Sequence, residues 1–196
     1  MKKTLALLML VSSLAAVRSQ STYYVFLDGP SESPANASPG TGVGTVVYDP
    51  ILHTLQLQVT FSGLTGTTTA SHIHAATANP FAGTAGVATT TPSFAGFPLG
   101  VSSGSFSNTL DLTVASSFNA AYVTANGGTL TSAEAALAAA MAGGRAYWNI
   151  HSSTFGGGEI RGFLSVVPEP SSTALAGVGV VGLALRAWHK RRVLKR

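Results

Sequence analysis

The strongest constraint on the fold is a run of alternating apolar and polar residues in the first half of the chain. Between Thr54 and Phe61, every second residue is Leu, Val or Phe, and the residues between them are Thr or Gln. A period of two is typical of a strand with one face buried and the other in water. The pattern predicts a half-buried strand over Ile51–Phe61, and therefore a sheet with a core on one side.

Further short runs rich in β-branched and aromatic residues predict more strands. They are Tyr23–Leu27, Val43–Tyr48, His72–Ala75, Ser105–Val114 and two strands within Tyr147–Phe163. The one helix expected is Ser132–Ala142, where Thr131 and Glu134 suit a capping box. Residues 77–100 have no period, and so long an irregular stretch is typical of a functional or mobile loop. About eight strands with one short crossover helix predict an all-β fold, a Greek-key β-sandwich or a flattened barrel.

The chain is basic only at its two ends. It carries 11 Lys and Arg against 7 Asp and Glu, a net charge of +4. From residue 20 to residue 170, however, Arg145 and Arg161 stand against seven acidic residues, a net charge of −5. Nucleic-acid phosphates repel a domain of that charge, so no nucleic-acid partner is expected. The chain has no cysteine, which excludes disulfides and thiolate metal sites.

Both ends have the pattern of targeting segments. Residues 1–19 contain two lysines, an apolar run and small residues at the end, as in a secretory signal peptide. Residues 167–196 contain Pro168, Glu169 and Pro170, an apolar run over Ala174–Leu185 and a basic end. That run is short for a bilayer core, but with its flanks it suits a thin membrane-spanning helix with a cytoplasmic basic end. Residues 20–166 are therefore expected to form one exported β domain.

Three triplets share the order polar, isoleucine, polar. They are His72-Ile73-His74, Asn149-Ile150-His151 and Glu159-Ile160-Arg161. Neighbouring side chains of a strand point to opposite faces, so isoleucines directed into the core would place the polar residues together on the other face. Tyr147 has the same parity as Asn149 and His151. A cluster of three histidines, a carboxylate and an arginine is therefore expected.

Two interpretations of this cluster remain open. In a structural polar network, the polar residues would satisfy one another between strands; they are His72, His74, Asn149, His151, Glu159 and Arg161. In a metal site, the three histidines would bind Cu or Zn, and Glu159 would be a ligand or accept from a histidine N–H. The Arg161 guanidinium repels a cation unless Glu159 neutralises it, so we favour the network. We accordingly expect no catalytic residue and no cofactor.

These residues also resemble a known family. His72-Ile73-His74, Tyr147–Ser152 and Gly158–Gly162 together resemble the CHRD domain, first described in chordin and widespread in bacterial secreted proteins. The resemblance extends over Tyr23–Val166. It implies a β-sandwich of immunoglobulin or superoxide-dismutase-like type outside the cytoplasm, with no established enzymatic activity.

The C-terminal segment resembles the PEP-CTERM sorting signal of Gram-negative bacteria, through Pro168-Glu169-Pro170, the apolar run and the terminal arginines. This resemblance implies Sec export, anchoring in the inner membrane and processing by an exosortase-type enzyme. We expect an exported, surface-tethered or secreted module with a structural or binding role in an exopolysaccharide matrix or the cell envelope, or against a surface protein. The alternative is a metal-binding, redox-active sandwich that uses His72, His74 and His151.

Overall fold

The computed structural model describes residues 20–166. The predicted signal peptide, the predicted C-terminal hydrophobic helix and the sorting signal lie outside these residues. Within residues 20–166, no helix has the length and apolar character that crossing a membrane requires.

Eight strands form the frame of the domain. They are β1 (Ser21–Asp28), β2 (Thr41–Asp49), β3 (Thr54–Ser62), β4 (Thr68–Ala75), β5 (Gly104–Asp111), β6 (Ala146–Ser152), β7 (Ile160–Phe163) and β8 (Ser165–Val166). A 3-10 turn (Ala115–Ser117) and two helices, α1 (Ala120–Ala125) and α2 (Leu130–Ala142), lie between β5 and β6.

All eight strands belong to one antiparallel sheet that curls around the core. Their order is β4-β6-β7-β1-β2-β3-β5, and β8 also pairs with β1. Strands β1, β2 and β3 are consecutive neighbours, after which the chain crosses to β4 at one edge, to β5 at the other edge, and back to β6. Such crossing connections are typical of Greek-key sandwiches. The all-β prediction, with about eight antiparallel strands, is confirmed.

Aromatic side chains join the two ends of the curled sheet. The Phe94 ring centre lies 5.6 Å from the Trp148 ring of β6 and 5.7 Å from the Phe106 ring of β5. All three rings are buried. Because β6 is next to one edge of the sheet and β5 is the other edge, Phe94 connects the two halves through the core. The sheet therefore encloses its core as a sandwich does.

Strand β3 has the predicted alternation but begins three residues later than expected. Its apolar side chains are buried and its Gln and Thr side chains face outward. Ile51 and Leu52, predicted to open this strand, form a turn instead, because the Asp49 carboxylate accepts hydrogen bonds from both of their backbone N–H groups. His53, with a φ of +53°, completes the turn in the left-handed region.

Two helices replace the one predicted crossover helix. Helix α1 has only six residues, too few for a helical period to be visible in the sequence. Helix α2 begins at Leu130, and its capping box is formed by Thr129 and Ser132, so the predicted box of Thr131 and Glu134 is wrong. The Glu134 carboxylate is buried; it accepts from the Tyr48 hydroxyl at 2.8 Å and lies 2.9 Å from His53 Nδ1. It therefore anchors α2 to the β2–β3 hairpin.

Candidate metal centre

Strand register brings the predicted polar residues into one block on the outer face of β4, β6 and β7. His72 lies opposite Asn149, and His74 lies opposite Tyr147. Asn149 in turn lies opposite Arg161. Directly opposed residues of antiparallel strands point to the same side of the sheet. The isoleucines of the three triplets are fully buried on the other side.

The outer face at this block is covered by two chain segments, residues 29–40 and 76–103. Backbone carbonyls from these segments accept hydrogen bonds from the side chains of the block. As a result His72, His74, Asn149 and Arg161 are all buried, although they lie outside the apolar core. The domain therefore has a second, polar interior between the sheet and these loops.

The three histidine rings converge in this polar interior. One ring nitrogen from each of His72, His74 and His151 lies within 4.8 Å of the other two. The Nε2 atoms of His72 and His151 are 2.9 Å apart. Four bonds of about 2.0–2.1 Å in a tetrahedral site require nitrogens about 3.3 Å apart, so the widest pair has to close by up to about 1.5 Å for all three to bind one ion.

Backbone carbonyls fix the tautomer of each ring. Nδ1 of His72 lies 3.1 Å from the Pro92 oxygen, and Nδ1 of His74 lies 2.8 Å from the Ala85 oxygen. Nδ1 of His151 lies 2.9 Å from the Gly156 oxygen. A carbonyl oxygen only accepts, so each Nδ1 carries the proton and donates it. In the neutral ring, Nε2 then presents a lone pair, and all three lone pairs face the same small volume.

The surroundings keep these rings neutral. Burial, together with His74 and His151, lowers the pKa of His72 to about 3. Burial, together with His151 and the charge of Arg161, lowers the pKa of His74 to about 4. Burial also lowers the pKa of His151. Neutral imidazole is the form that binds a metal ion, so the site is ready for one at neutral pH.

Tyr147 and Arg161 form the floor of the site beside His74. The Tyr147 ring stacks on the His74 ring, with centres 4.6 Å apart and planes 5° from parallel. The Arg161 guanidinium carbon lies 4.8 Å from the centre of the Tyr147 ring. Arg161 also donates to the carbonyls of Ser31 and Gly83. These contacts hold the guanidinium against Tyr147.

The carboxylate that accompanies Arg161 is Glu32, which no pattern in the sequence predicts. Glu32 Oε2 lies 3.8 Å from Arg161 Nε, and both side chains are buried. Burial raises the pKa of Glu32 to about 7, against the opposing effect of Arg161. Glu32 stands in an irregular loop rich in Ser and Pro, where no period assigns it to a face. Its position next to Arg161, 129 residues away along the chain, follows only from the tertiary fold.

Glu159 does not join the histidines. Its carboxylate accepts from the Ser38 hydroxyl at 2.6 Å and from the backbone N–H groups of Thr65 and Gly66. Burial alone would raise its pKa, but these donors and the Ser152 hydroxyl lower it. Glu159 precedes β7, at a bend where the strict alternation of a strand no longer applies. Its carboxylate therefore ties two loops to the hairpin.

Unpartnered polar atoms also collect at the block. Within residues 20–166, four buried side-chain polar atoms have no hydrogen-bond partner: His74 Nε2, Asn149 Oδ1, Glu32 Oε1 and the Tyr122 hydroxyl. The first three belong to the polar interior. Glu32 Oε1 and Asn149 Oδ1 both flank Gly158, where an added Cβ would come within 2.7 Å of either. Buried lone pairs without donors are costly, and a cation next to them removes that cost.

Two family profiles match the chain. The sequence profile of the CHRD domain matches residues 23–164. The chain belongs to the CHRD domain family. A second profile, the PEP-CTERM protein-sorting motif, matches residues 166–192. Comparison with curated proteins and with solved structures finds no match.

The two matches confirm both resemblances seen in the sequence. All three polar triplets lie within the matched CHRD domain, whereas Pro168, Glu169 and Pro170 lie in the sorting motif, outside the described residues. A CHRD domain followed by a PEP-CTERM motif indicates a protein that is exported and sorted to the surface. The sorting motif also implies recognition by an exosortase and a membrane-anchored C-terminus before surface attachment.

Proposed function

We propose that this CHRD domain binds one divalent transition-metal ion through Nε2 of His72, His74 and His151. The observation that carries the proposal is the set of three Nδ1–H groups, each donating to a backbone carbonyl, which directs three lone pairs to one point. A histidine ligand that donates its other N–H to a carbonyl or carboxylate is the usual arrangement around protein-bound metals. Three such rings at one place support a metal site over a network of mutual hydrogen bonds.

The donor set favours Zn²⁺ or Cu²⁺. Imidazole nitrogens suit both ions, and the described residues bring no carboxylate to this group of histidines. Three protein ligands leave a fourth position for water or another molecule, which permits Lewis-acid chemistry with Zn²⁺ and redox chemistry with Cu²⁺. Glu32, not Glu159, is the carboxylate beside Arg161, and with a pKa of about 7 it is partly ionised at neutral pH and offsets part of the guanidinium charge.

A binding role for the exported domain is supported by a different face. Apart from Asp111 at the end of β5, the outward residues of β3 and β5 are Gln, Thr and Ser, among them Gln56, Gln58, Thr60, Ser105, Ser107 and Thr109. Hydroxyls and amides without charge suit the hydroxyl groups of a neutral polysaccharide. We therefore propose contact with an exopolysaccharide matrix or cell envelope as the second function, after exosortase-type processing of the tail.

Elemental analysis of the purified domain tests the metal proposal. After incubation with Zn²⁺ or Cu²⁺ and removal of free ion, we expect about one equivalent bound to the wild-type domain and less than about a tenth to His74→Ala. His53→Ala is the matched control, because His53 lies in the β2–β3 turn away from the three histidines, and it should retain the full equivalent. Less than about a tenth of an equivalent of both ions on the folded wild-type domain overturns the proposal.

A further inference from the structure

The turn between β2 and β3 presents two large aliphatic side chains to solvent. Ile51 and Leu52 are each 66% exposed, more than any other large apolar residue within residues 20–166. The turn is nevertheless firmly held, since the Asp49 carboxylate accepts from both backbone N–H groups. On its other side His53 contacts Glu134 of α2. A firmly held turn with two exposed aliphatic side chains offers a contact for another apolar phase.

The chain leaves the described domain at the same end. Strands β2 and β8 both pair antiparallel with β1, so they run in the same direction. Strand β2 leads into the turn, and β8 leads to Val166. Along β1, Val166 lies opposite Tyr23, only two residues, or about 7 Å, from the position opposite the end of β2. The sorting segment therefore begins at the same end of the sheet as the apolar turn.

The length of the following segment limits how the domain can sit against a membrane. Seven residues separate Val166 from the apolar run that begins at Ala174. Seven residues span at most about 25 Å when fully extended. A domain of this size is roughly 40 Å across, so the end from which the chain leaves faces the bilayer while the run is in it.

We propose that Ile51 and Leu52 contact the interfacial layer of the membrane that holds the C-terminal segment. Val114, which is also exposed, lies two residues after Leu112, whose N–H donates to the His53 carbonyl at the end of the turn. The turn contains no lysine or arginine, so the contact is apolar and does not depend on anionic headgroups. This membrane contact is independent of the metal centre.

Single cysteines test the proposal, since the natural chain has none. Leu52→Cys and Leu99→Cys, each carrying an environment-sensitive fluorophore, are prepared in the full chain and reconstituted into vesicles of phosphatidylethanolamine and phosphatidylglycerol in equal parts. Leu99 is the matched control, an exposed leucine in the loop whose Gly100 pairs with the first residue of β4, at the opposite end of the sheet. We expect a blue-shifted emission and several-fold stronger quenching by nitroxide lipids at position 52 than at position 99.

A second variant separates lipid contact from other causes. Adding Ile51→Asp to Leu52→Cys should reduce the quenching to the level at position 99, with the circular dichroism spectrum and melting temperature unchanged. High salt should leave the quenching of the Leu52→Cys label intact, because the contact is apolar. Equal quenching at positions 52 and 99 overturns the proposal. A label at position 52 that is shielded but not quenched by lipid also overturns it, and indicates a second copy of the chain or a saccharide instead.

Discussion

At the scale of single residues, the candidate centre depends on which ring nitrogen of each histidine carries the proton. Carbonyls of Pro92, Ala85 and Gly156 hold the Nδ1 protons, so three Nε2 lone pairs face one another. Two of these nitrogens are 2.9 Å apart, and the third has no partner. Without an ion or a shared proton between them, such lone pairs repel, and this repulsion lowers the stability of the metal-free domain.

Acid should therefore destabilise the metal-free domain. The pKa values of His72 and His74 are lowered to about 3 and about 4. Below about pH 6.5 the unfolded chain binds protons at these residues that the folded domain does not, so stability falls as pH falls toward 4. Each histidine contributes on the order of 1 kcal/mol per pH unit. Urea unfolding at a series of pH values measures this slope.

Glu32 acts in the opposite direction and provides a control for the slope. The pKa of Glu32 is raised to about 7, so as pH falls the folded domain binds this proton before the unfolded chain does. Between pH 6.5 and the usual glutamate pKa of 4.5, this uptake offsets the loss of stability that one histidine causes. Glu32→Gln should make the loss of stability steeper in that interval. A stability that is flat or rises on acidification from pH 6.5 to 4 in the wild-type domain contradicts this account of the site.

Glu159 should be important for stability and unimportant for metal. Its fully buried carboxylate receives hydrogen bonds from Ser38, Thr65 and Gly66. Glu159→Gln removes the charge from these bonds and should cost about 2–3 kcal/mol of unfolding free energy. Metal stoichiometry should stay at that of the wild type. A Glu159→Gln domain of normal stability that had lost its metal would show that Glu159 is a ligand after all.

At the scale of elements, the close approach of the neighbouring strands β7 and β1 positions the polar block. An added Cβ at Gly162 would overlap the Phe26 carbonyl oxygen, so β7 approaches β1 more closely than a side chain allows. Arg161, the neighbour of Gly162, pairs with Asp28 of β1 in the sheet and reaches over Tyr147 toward Glu32. The glycine therefore lets one strand connect the β1 region to the histidines.

Replacement of this glycine should damage the sheet. Gly162→Ala forces β7 away from β1 and should cost about 3 kcal/mol or more. Gly156→Ala is the matched control, because nothing lies within 4 Å of the Cβ it would add, and its effect should stay within about 0.5 kcal/mol. Thermal or urea unfolding of the two variants side by side measures the difference. Equal stabilities would mean that β7 is not held against β1 as described.

Elements with a regular period were predictable from the sequence, and irregular ones were not. Parity along β4 and β6 placed His72, His74 and His151 on one face, because a strand fixes the direction of each side chain. The same rule failed for Glu159, which precedes β7, and for Ile51 and Leu52, which Asp49 draws into a turn. The carbonyls that set the histidine tautomers come from irregular loops, where sequence pattern has no periodicity to assign a face.

At the scale of the whole molecule, the two sequence matches divide the chain by task. The CHRD domain holds the sheet and the polar block, and the PEP-CTERM motif directs export and surface attachment. Arg145 and Arg161 are the only lysines or arginines within residues 20–166, and the other nine lie toward the two chain ends. We propose that the exported domain acquires its metal outside the cytoplasm, with the turn at Ile51 and Leu52 resting on the membrane until the tail is processed.

X-ray absorption spectroscopy of the Zn²⁺-loaded domain tests the central claim most directly. The account predicts a first shell that contains three imidazole nitrogens at about 2.0–2.1 Å, with one further light atom from solvent. His74→Ala should lose this shell together with its metal, whereas Glu159→Gln should keep it. A first shell of oxygen atoms, or one with a single imidazole, would contradict the convergence of His72, His74 and His151 on one ion.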